Sequence, residues 1–401
     1  MRKFSKQKCL VTTRLTTERT QRLDRLPKYL FSEMEKAVLE KKSRGIDLIS
    51  FGIGDPDLPT PDFILSTLRE EISNPKNHNY SLSQGELEFR EAVAEWYKKR
   101  FRVDLDPHKE VLALIGSKEG LANLARAYIN PGDKVLVPDP AYPVYANGAT
   151  LLCDGVPVVM PLLGKNGFKP DLEEISKEGA KLLFLNYPNN PTAATVDRRF
   201  LEELVDFAQK NRLVVCYDNA YSEIAFDNFA PQSLMQIEGS KEVGIEIHSC
   251  SKTFNMTGDR IGFAVGSEQV IGNLSQIKTQ IDSGPSLYVQ KAAITGLRSY
   301  TSNGPPECVR KNVATYQQRR DVLVKELRSL GLQCETPKAT FYVWASCGTD
   351  SMGVSKRMLE KGVVVTPGIG FGKYGEGFLR FALTIPIDRI EEACERISNI
   401  M

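Results

Sequence analysis

The chain has 401 residues, 41% of them hydrophobic and 25% charged, enough for one large or two moderate domains with a sizeable core. Its 52 basic and 50 acidic side chains leave a formal net charge of +2, which gives no overall field to hold nucleic acid or an anionic membrane. No apolar run approaches the ~20 residues of a bilayer span, and eight scattered cysteines without a CxxC pair, with three distant histidines, speak against a zinc site.

The first stretch, MRKFSKQKCLVTTRLTT, carries Arg2, Lys3, Lys6, Lys8 and Arg14 with no acid before Glu18. Basic, Ser/Thr-containing and acid-poor is the composition of an organelle transit peptide. A short flexible arm reads the same way. With no secretory core and scattered cysteines, the expected compartment is the cytoplasm, organelle targeting by the arm being the alternative.

From Val111 to Phe263 short apolar runs alternate with amphipathic stretches. VLALIG (Val111–Gly116) precedes KEGLANLARAYI, and KVLVP (Lys134–Pro138) precedes AYPVYANGA. LLFLN (Leu182–Asn186) precedes RFLEELVDFAQK, and VVCYD (Val214–Asp218), IEIHS (Ile245–Ser249) and IGFAVG (Ile261–Gly266) follow. This alternation predicts an α/β domain with a mainly parallel sheet. Leu201, Leu204, Val205 and Ala208 recur at helical spacing and predict one buried helix face. Further on, VATYQQRRDVLVKELRSLG predicts a helix stopped at Gly331. The strand-like pieces TFYVWA, VVVTP and FLRFALT come next, then a last helix, DRIEEACERISNI. That is an α+β pattern and predicts a second, smaller domain, with the segment before residue 60 packed on it.

In parallel α/β sheets ligands lie beyond the carboxyl ends of the strands. After VLALI come Gly116, Ser117, Lys118 and Glu119, opening a helix whose free amides can hold an anion. NYPNNPT follows LLFL, and Asp218 ends VVCYD with Tyr221 three residues on. After IEIH come Ser249, Ser251 and Lys252, with Arg260 eight further along. Singly, each has an ordinary explanation: a helix cap, a core tyrosine, a solvated lysine, Asn-Pro turns. Jointly they supply an anion cradle (Ser117, Ser249, Arg260), a carboxylate, a phenol, an amide and an amine. Pyridoxal 5′-phosphate needs this set: a lysine for the Schiff base, a carboxylate to keep the ring nitrogen protonated, and a phosphate clamp.

NYPNNPTA, YDNAY and SCSKTFNMTGDRIG resemble the class I/II aminotransferases, fold type I among pyridoxal-phosphate enzymes. The resemblance runs from about Leu26 to the end of the chain. It implies a large domain with a mainly parallel seven-stranded sheet, residues 60–295. It implies a smaller α+β domain from residues 1–59 and 296–401. Lys252 would carry the cofactor and Asp218 would pair with its ring nitrogen. Tyr221 and Asn190 would hydrogen-bond the ring oxygen, and Tyr142 would stack on the ring. Ser117, Lys118, Ser249 and Arg260 would hold the phosphate, joined by Tyr80 from the neighbouring subunit of a homodimer. Arg380 would bind the substrate α-carboxylate, as its fork suits a carboxylate, with Gly54 and Asn190 beside it.

LPKYLF, ISFGIGDPDLPTP, LIGSKEG, PDPAYPVY, IDSG and KATFYVWA further resemble the LL-diaminopimelate aminotransferases, in which a residue matching Tyr29 lies near the substrate. No arginine occurs between Ile261 and Leu297, where animal-type aspartate transaminases place one for a distal carboxylate. Two positions depart from the family pattern: Asp259 stands where tryptophan is usual, and Ala193 where glycine is. Ser83 stands near the place where plant-type members carry a glutamate. The expected function is ping-pong transfer between LL-diaminopimelate and a 2-oxo acid. The alternatives are a general aspartate, alanine or glutamate aminotransferase and a C–S β-lyase on the same fold. Residues 1–25 are too few for a winged helix, so a cofactor-sensing regulator is not expected.

Overall fold

The computed structural model describes residues 19–27, 30–175, 179–348 and 350–400, with the backbone alone for 30–35. The basic stretch before residue 19 lies outside them. A short β1 (Ile49–Ser50) precedes the main sheet of β2 (Val111–Leu114), β3 (Lys134–Asp139), β4 (Val156–Pro161), β5 (Ala180–Asn186), β6 (Val214–Asp218), β7 (Gly244–Ser249) and β8 (Gly262–Gly266). Their spatial order is β2-β8-β7-β6-β5-β3-β4. Neighbours run parallel, except that β8 is antiparallel to both β2 and β7. The sheet is therefore the seven-stranded, mainly parallel one that the family resemblance implies.

The central strands β5 and β6 are mostly apolar on both faces because helices cover both. Leu183, Leu185, Val215 and Tyr217 join one buried cluster with Phe89 and Trp96 of the helix Leu87–Phe101. Leu182, Phe184 and Cys216 point the other way, into a cluster with Leu121 and Leu124 of the helix Ser117–Tyr128. The helix Arg198–Asn211 buries Leu201, Leu204, Val205 and Ala208, the face its spacing predicts, and is capped by Asp197 through the Phe200 amide at 3.0 Å. β4 escapes the sequence pattern for a physical reason. It is an edge strand with two prolines, Pro157 and Pro161, and both Val156 and Val159 stay nearly half exposed. Edge position tolerates proline and weakens the apolar signal.

The second body holds β9 (Gln333–Cys334), β10 (Tyr342–Ser346), β11 (Val363–Val364), β12 (Thr366–Pro367) and β13 (Phe378–Ala382). VVVTP, read as one strand, splits: β11 pairs with β1, while β12 joins the antiparallel order β12-β13-β10-β9. The helix Glu307–Ser329 lies against this sheet, and the chain turns at Gly331 with φ +85°, a conformation glycine adopts without strain. Phe51, Phe341, Leu379 and Ile390 share a separate core, to which Tyr221 from the main-sheet side also belongs. No helix of the described residues is long and apolar enough to cross a membrane.

Candidate active site

β5, β6 and β7 end side by side at Asn186, Asp218 and Ser249, with Asn186 opposite Asp218 in register. Beyond these ends lies a cavity of about 290 Å³. Gly54, Ser117, Tyr142, Asn190, Asp218, Tyr221, Ser249, Lys252 and Arg380 line it, so nine of the expected residues meet in one place. Larger surface hollows exist, one of about 860 Å³, but this cavity is the one at the strand ends, where open α/β sheets bind ligands.

Asp218 is buried, and Tyr145 donates its hydroxyl to Oδ2 at 2.7 Å. Oδ1 is buried and makes no hydrogen bond of normal geometry among the described residues. Burial pushes this carboxyl up to about 6, against the pull of the Tyr145 hydroxyl. A buried carboxylate oxygen without a partner is a site waiting for a donor, best of all a cationic one. Tyr145 lies in a π-helical turn, Val144–Thr150, and stacks on Phe184 at 5.3 Å. Asn186 donates to the Asp218 carbonyl at 2.7 Å and accepts from the Asn190 amide at 2.7 Å, which fixes the NYPNNPT loop against β6.

Lys252 follows β7 in the short helix Cys250–Thr253, capped by Ser249, whose Oγ accepts from the Ser251 amide at 3.2 Å. Its Nζ donates to the Gly54 carbonyl at 3.2 Å and stands 5.6 Å from the Phe341 ring centroid. Burial pulls the amine down to about 8, with Asp55 opposing the shift. Gly116 precedes the helix Ser117–Tyr128 with φ +74°, and a Cβ there would stand 2.2 Å from Arg260 Nη2. The guanidinium therefore lies against the helix start, beside Ser117. Arg260 is itself held by Nη1 donating to the Thr257 carbonyl at 2.9 Å. Asp259 turns out not to pair with Arg260; burial alone pushes its carboxyl up.

Arg380 is 1% exposed. Nη1 donates to Asn190 Oδ1 at 2.8 Å and Nη2 to the Gly52 carbonyl at 2.7 Å. The guanidinium is sandwiched by Tyr342 and Phe371, with ring centroids at 4.3 and 4.7 Å. Tyr342 by itself requires glycine at position 54: a Cβ there would sit 2.1 Å from Tyr342 Oη. Tyr342 Oη also meets Tyr221 Oη at 3.2 Å. Burial holds the Tyr221 phenol well above 10, so it remains a donor.

The chain matches the aminotransferase class I and II family over residues 46–397. It belongs to that family. Class I and II aminotransferases depend on pyridoxal 5′-phosphate. This aminotransferase is 50% identical over 390 residues to the LL-diaminopimelate aminotransferase of Moorella thermoacetica, covering 96% of this chain and 98% of that one. It is 49% identical over 386 residues to the LL-diaminopimelate aminotransferase of Desulforudis audaxviator, covering 95% and 97%. Among solved structures it resembles substrate-bound BacF from Bacillus subtilis, with a TM-score of 0.90, 36% identity and coverage of 96% and 98%. It also resembles Thermus thermophilus aspartate aminotransferase bound to maleate, with a TM-score of 0.88, 28% identity and coverage of 96% and 100%.

The unpartnered Asp218 oxygen, the Lys252 amine and the Ser117–Arg260 cradle together fit the family's cofactor. Lys118 is exposed and does not line the cavity of this aminotransferase. Tyr80 is 90% exposed and also lies apart from it. Tyr29 lies outside the described residues. The sequence reading missed Tyr145, Asn186, Tyr342 and Ile53, which line the cavity too. Tyr145 lies in PDPAYPVY, three residues after Tyr142, Asn186 opens NYPNNPT, four before Asn190, and Tyr342 lies in KATFYVWA.

Proposed function

We propose that this aminotransferase moves an α-amino group from LL-diaminopimelate to a 2-oxo acid such as 2-oxoglutarate, in two half-reactions, as a step of lysine biosynthesis. Pyridoxal 5′-phosphate would be carried on Lys252, with Asp218 at its ring nitrogen, Tyr221 and Asn190 at its ring oxygen and Tyr142 against its ring. Ser117, Ser249, Arg260 and Lys118 would hold its phosphate. Bound there, the cofactor would act as an electron sink for the charge left when a substrate Cα–H is lost. The chain's own groups do the rest. Arg380, oriented by Asn190 and Gly52, presents its fork to the α-carboxylate and fixes the Cα. Lys252, once the donor's amino group has displaced its amine from the cofactor, would take the proton from that carbon and return it; burial draws the free amine down to about 8, and a base works best near the operating pH. The ionised Asp218 keeps a positive charge on its cavity side, and Tyr145 keeps Asp218 aimed.

The observation that carries aminotransfer is the buried Asp218 carboxylate, one oxygen of which has no hydrogen-bond partner of normal geometry among the described residues, in the wall of the cavity that Lys252 and Arg380 also line. The substrate is supported by near 50% identity over the whole length of two LL-diaminopimelate aminotransferases. A homodimer with shared sites is supported by Tyr80, an aromatic 90% exposed on this chain. Seven described cysteines are free thiols, which supports a reducing compartment such as the cytoplasm. The test supplies purified, cofactor-loaded protein with LL-diaminopimelate, glutamate, aspartate or alanine and a 2-oxo acid. LL-diaminopimelate should be the preferred donor. Turnover of the other three alone overturns the substrate. Pyruvate and ammonia released from a cysteine conjugate without an acceptor would mean C–S lyase chemistry instead.

A further inference from the structure

A substrate with two ammonium groups sets a problem that the residues assigned so far leave unsolved. Arg380 and Lys252 are cations, and Asp218 sits buried at the end of β6 with Tyr145 on one oxygen. None of them can neutralise a second ammonium at the open side of the cavity. The chain between β1 and residue 60 supplies the missing charge.

Ile53 and Gly54 line the cavity, and the Gly54 carbonyl accepts from Lys252 at 3.2 Å. Asp55 comes next, with its Cα ~3.8 Å from that of Gly54. The stretch is anchored on both sides. Thr384 donates its hydroxyl to the Ile53 carbonyl at 3.2 Å. Arg319 grips Asp57 with both Nη atoms, at 2.7 and 2.8 Å, and also donates to the Leu383 carbonyl. Between these anchors the Asp55 side chain is exposed and makes no hydrogen bond or ion pair among the described residues. Its field nevertheless reaches the site: of the charges acting on the Lys252 amine, after the effect of burial, Asp55 is the strongest. Ile53, 46% exposed, offers an apolar surface beside it for a methylene chain.

We propose that Asp55 reads the second, distal ammonium group of the substrate and so selects diamino over monoamino donors; this rests on the LL-diaminopimelate reading above. Ile53 covers the methylenes that join the two heads.

The test compares LL-diaminopimelate with L-2-aminopimelate, which keeps the carbon chain and both carboxylates and lacks the second ammonium. In the wild-type holoenzyme kcat/KM favours the diamino compound, and that preference shrinks with added salt, as a partly exposed pair is screened. Asp55→Asn, isosteric and exposed, lowers the preference about five- to tenfold, between the limits for an exposed ion pair and a charge-assisted hydrogen bond. Asp55→Glu keeps it within about threefold. An unchanged preference in Asp55→Asn overturns the proposal while the substrate reading stands. A parallel loss for both compounds also overturns it, because Asp55 would then act only through the Lys252 amine. Wild-type protein that transaminates glutamate but not LL-diaminopimelate overturns the substrate reading, and this proposal with it; that result is read without any variant.

Discussion

Asp218→Asn should stabilise the cofactor-free protein and weaken the cofactor's hold, two effects of opposite sign from one substitution. Burial raises the carboxyl from its ordinary 3.8 to about 6. At about 1.4 kcal/mol per pH unit this is about 3 kcal/mol spent on holding the charge. The folded pKa lies above the unfolded one. Cofactor-free stability from this group is therefore present below 3.8, falls as the pH rises to about 6, and is absent above it. At pH 7.5 the asparagine removes that cost but puts an amide nitrogen where Oδ1 had no partner, so a net gain of about 1–3 kcal/mol is expected. With an unfolding entropy of about 2.1 cal/mol/K per residue, a chain of this length gains roughly 1–4 °C in Tm. A cationic ring nitrogen held at Asp218 would cancel the same cost in the wild type, so losing the carboxylate should weaken cofactor affinity about 100-fold. Below pH 6 the wild-type advantage over the variant should shrink about tenfold per pH unit, because binding must then expel a proton from Asp218. Thermal melts of cofactor-free protein and fluorescence titrations with pyridoxal phosphate from pH 5 to 8 measure both arms. A less stable cofactor-free variant, or affinities within threefold of each other at pH 7.5, would refute the reasoning.

Lys252→Ala should leave a folded protein that binds the cofactor only non-covalently, so that borohydride fixes none of it to the chain, and turnover should vanish; normal turnover would remove the assignment. Gly54→Ala drives a Cβ to within 2.1 Å of Tyr342 Oη. The ring must swing, at about 1–3 kcal/mol for an overpacked site, and KM for amino donors should rise; an unchanged Tm and KM would show that the ring moves freely. Glu246→Gln strips a fully buried carboxylate of its charge. That carboxylate accepts from Asn219, Ser233, His248 and the Leu234 amide at 2.6–2.7 Å. Burial alone would push it up, yet these partners hold it below its usual range. Its stabilisation is thus present above the usual carboxylate pKa and lost as the pH falls through the folded value. The substitution should cost about 3–5 kcal/mol, roughly 4–6 °C of Tm, and calorimetry showing under 1 °C would contradict it.

The main sheet was legible because most of its central strands carry their burial in their residues. LLFLN and VVCYD are apolar runs buried on both faces, and such a run survives being read without context; IEIHS is as deeply buried but alternates, its Glu246 and His248 paired with each other inside. β4 was not legible, as an edge strand with prolines and half-exposed valines resembles a loop. VVVTP misled in the opposite sense. Its residues read as one strand, but β11 bonds to β1 and β12 to β13, and the division depends on partners more than 300 residues away in the case of β1.

The candidate site divides along the same line. Residues that end a strand or open a helix (Ser117, Asp218, Ser249, Lys252) declare themselves by position, since the topology forces them to one edge. Tyr145, Tyr342 and Asp55 do not. Tyr145 reaches Asp218 from a π-helical turn, and nothing in PDPAYPVY says which of its two tyrosines faces the carboxylate. Tyr342 enters from β10 of the second body, and its demand for space makes residue 54 a glycine. The proposed role of Asp55 depends on the chain path fixed where Arg319 from the helix Glu307–Ser329 grips Asp57. The residues proposed for the chemistry thus sit at the strand ends of the main sheet and can be read there. The side chains proposed to govern selectivity come instead from turns and from the smaller sheet, and they meet only once the chain has packed. Substrate choice should accordingly respond to Ile53, Asp55 and Tyr342 while Lys252 and Asp218 stay unchanged.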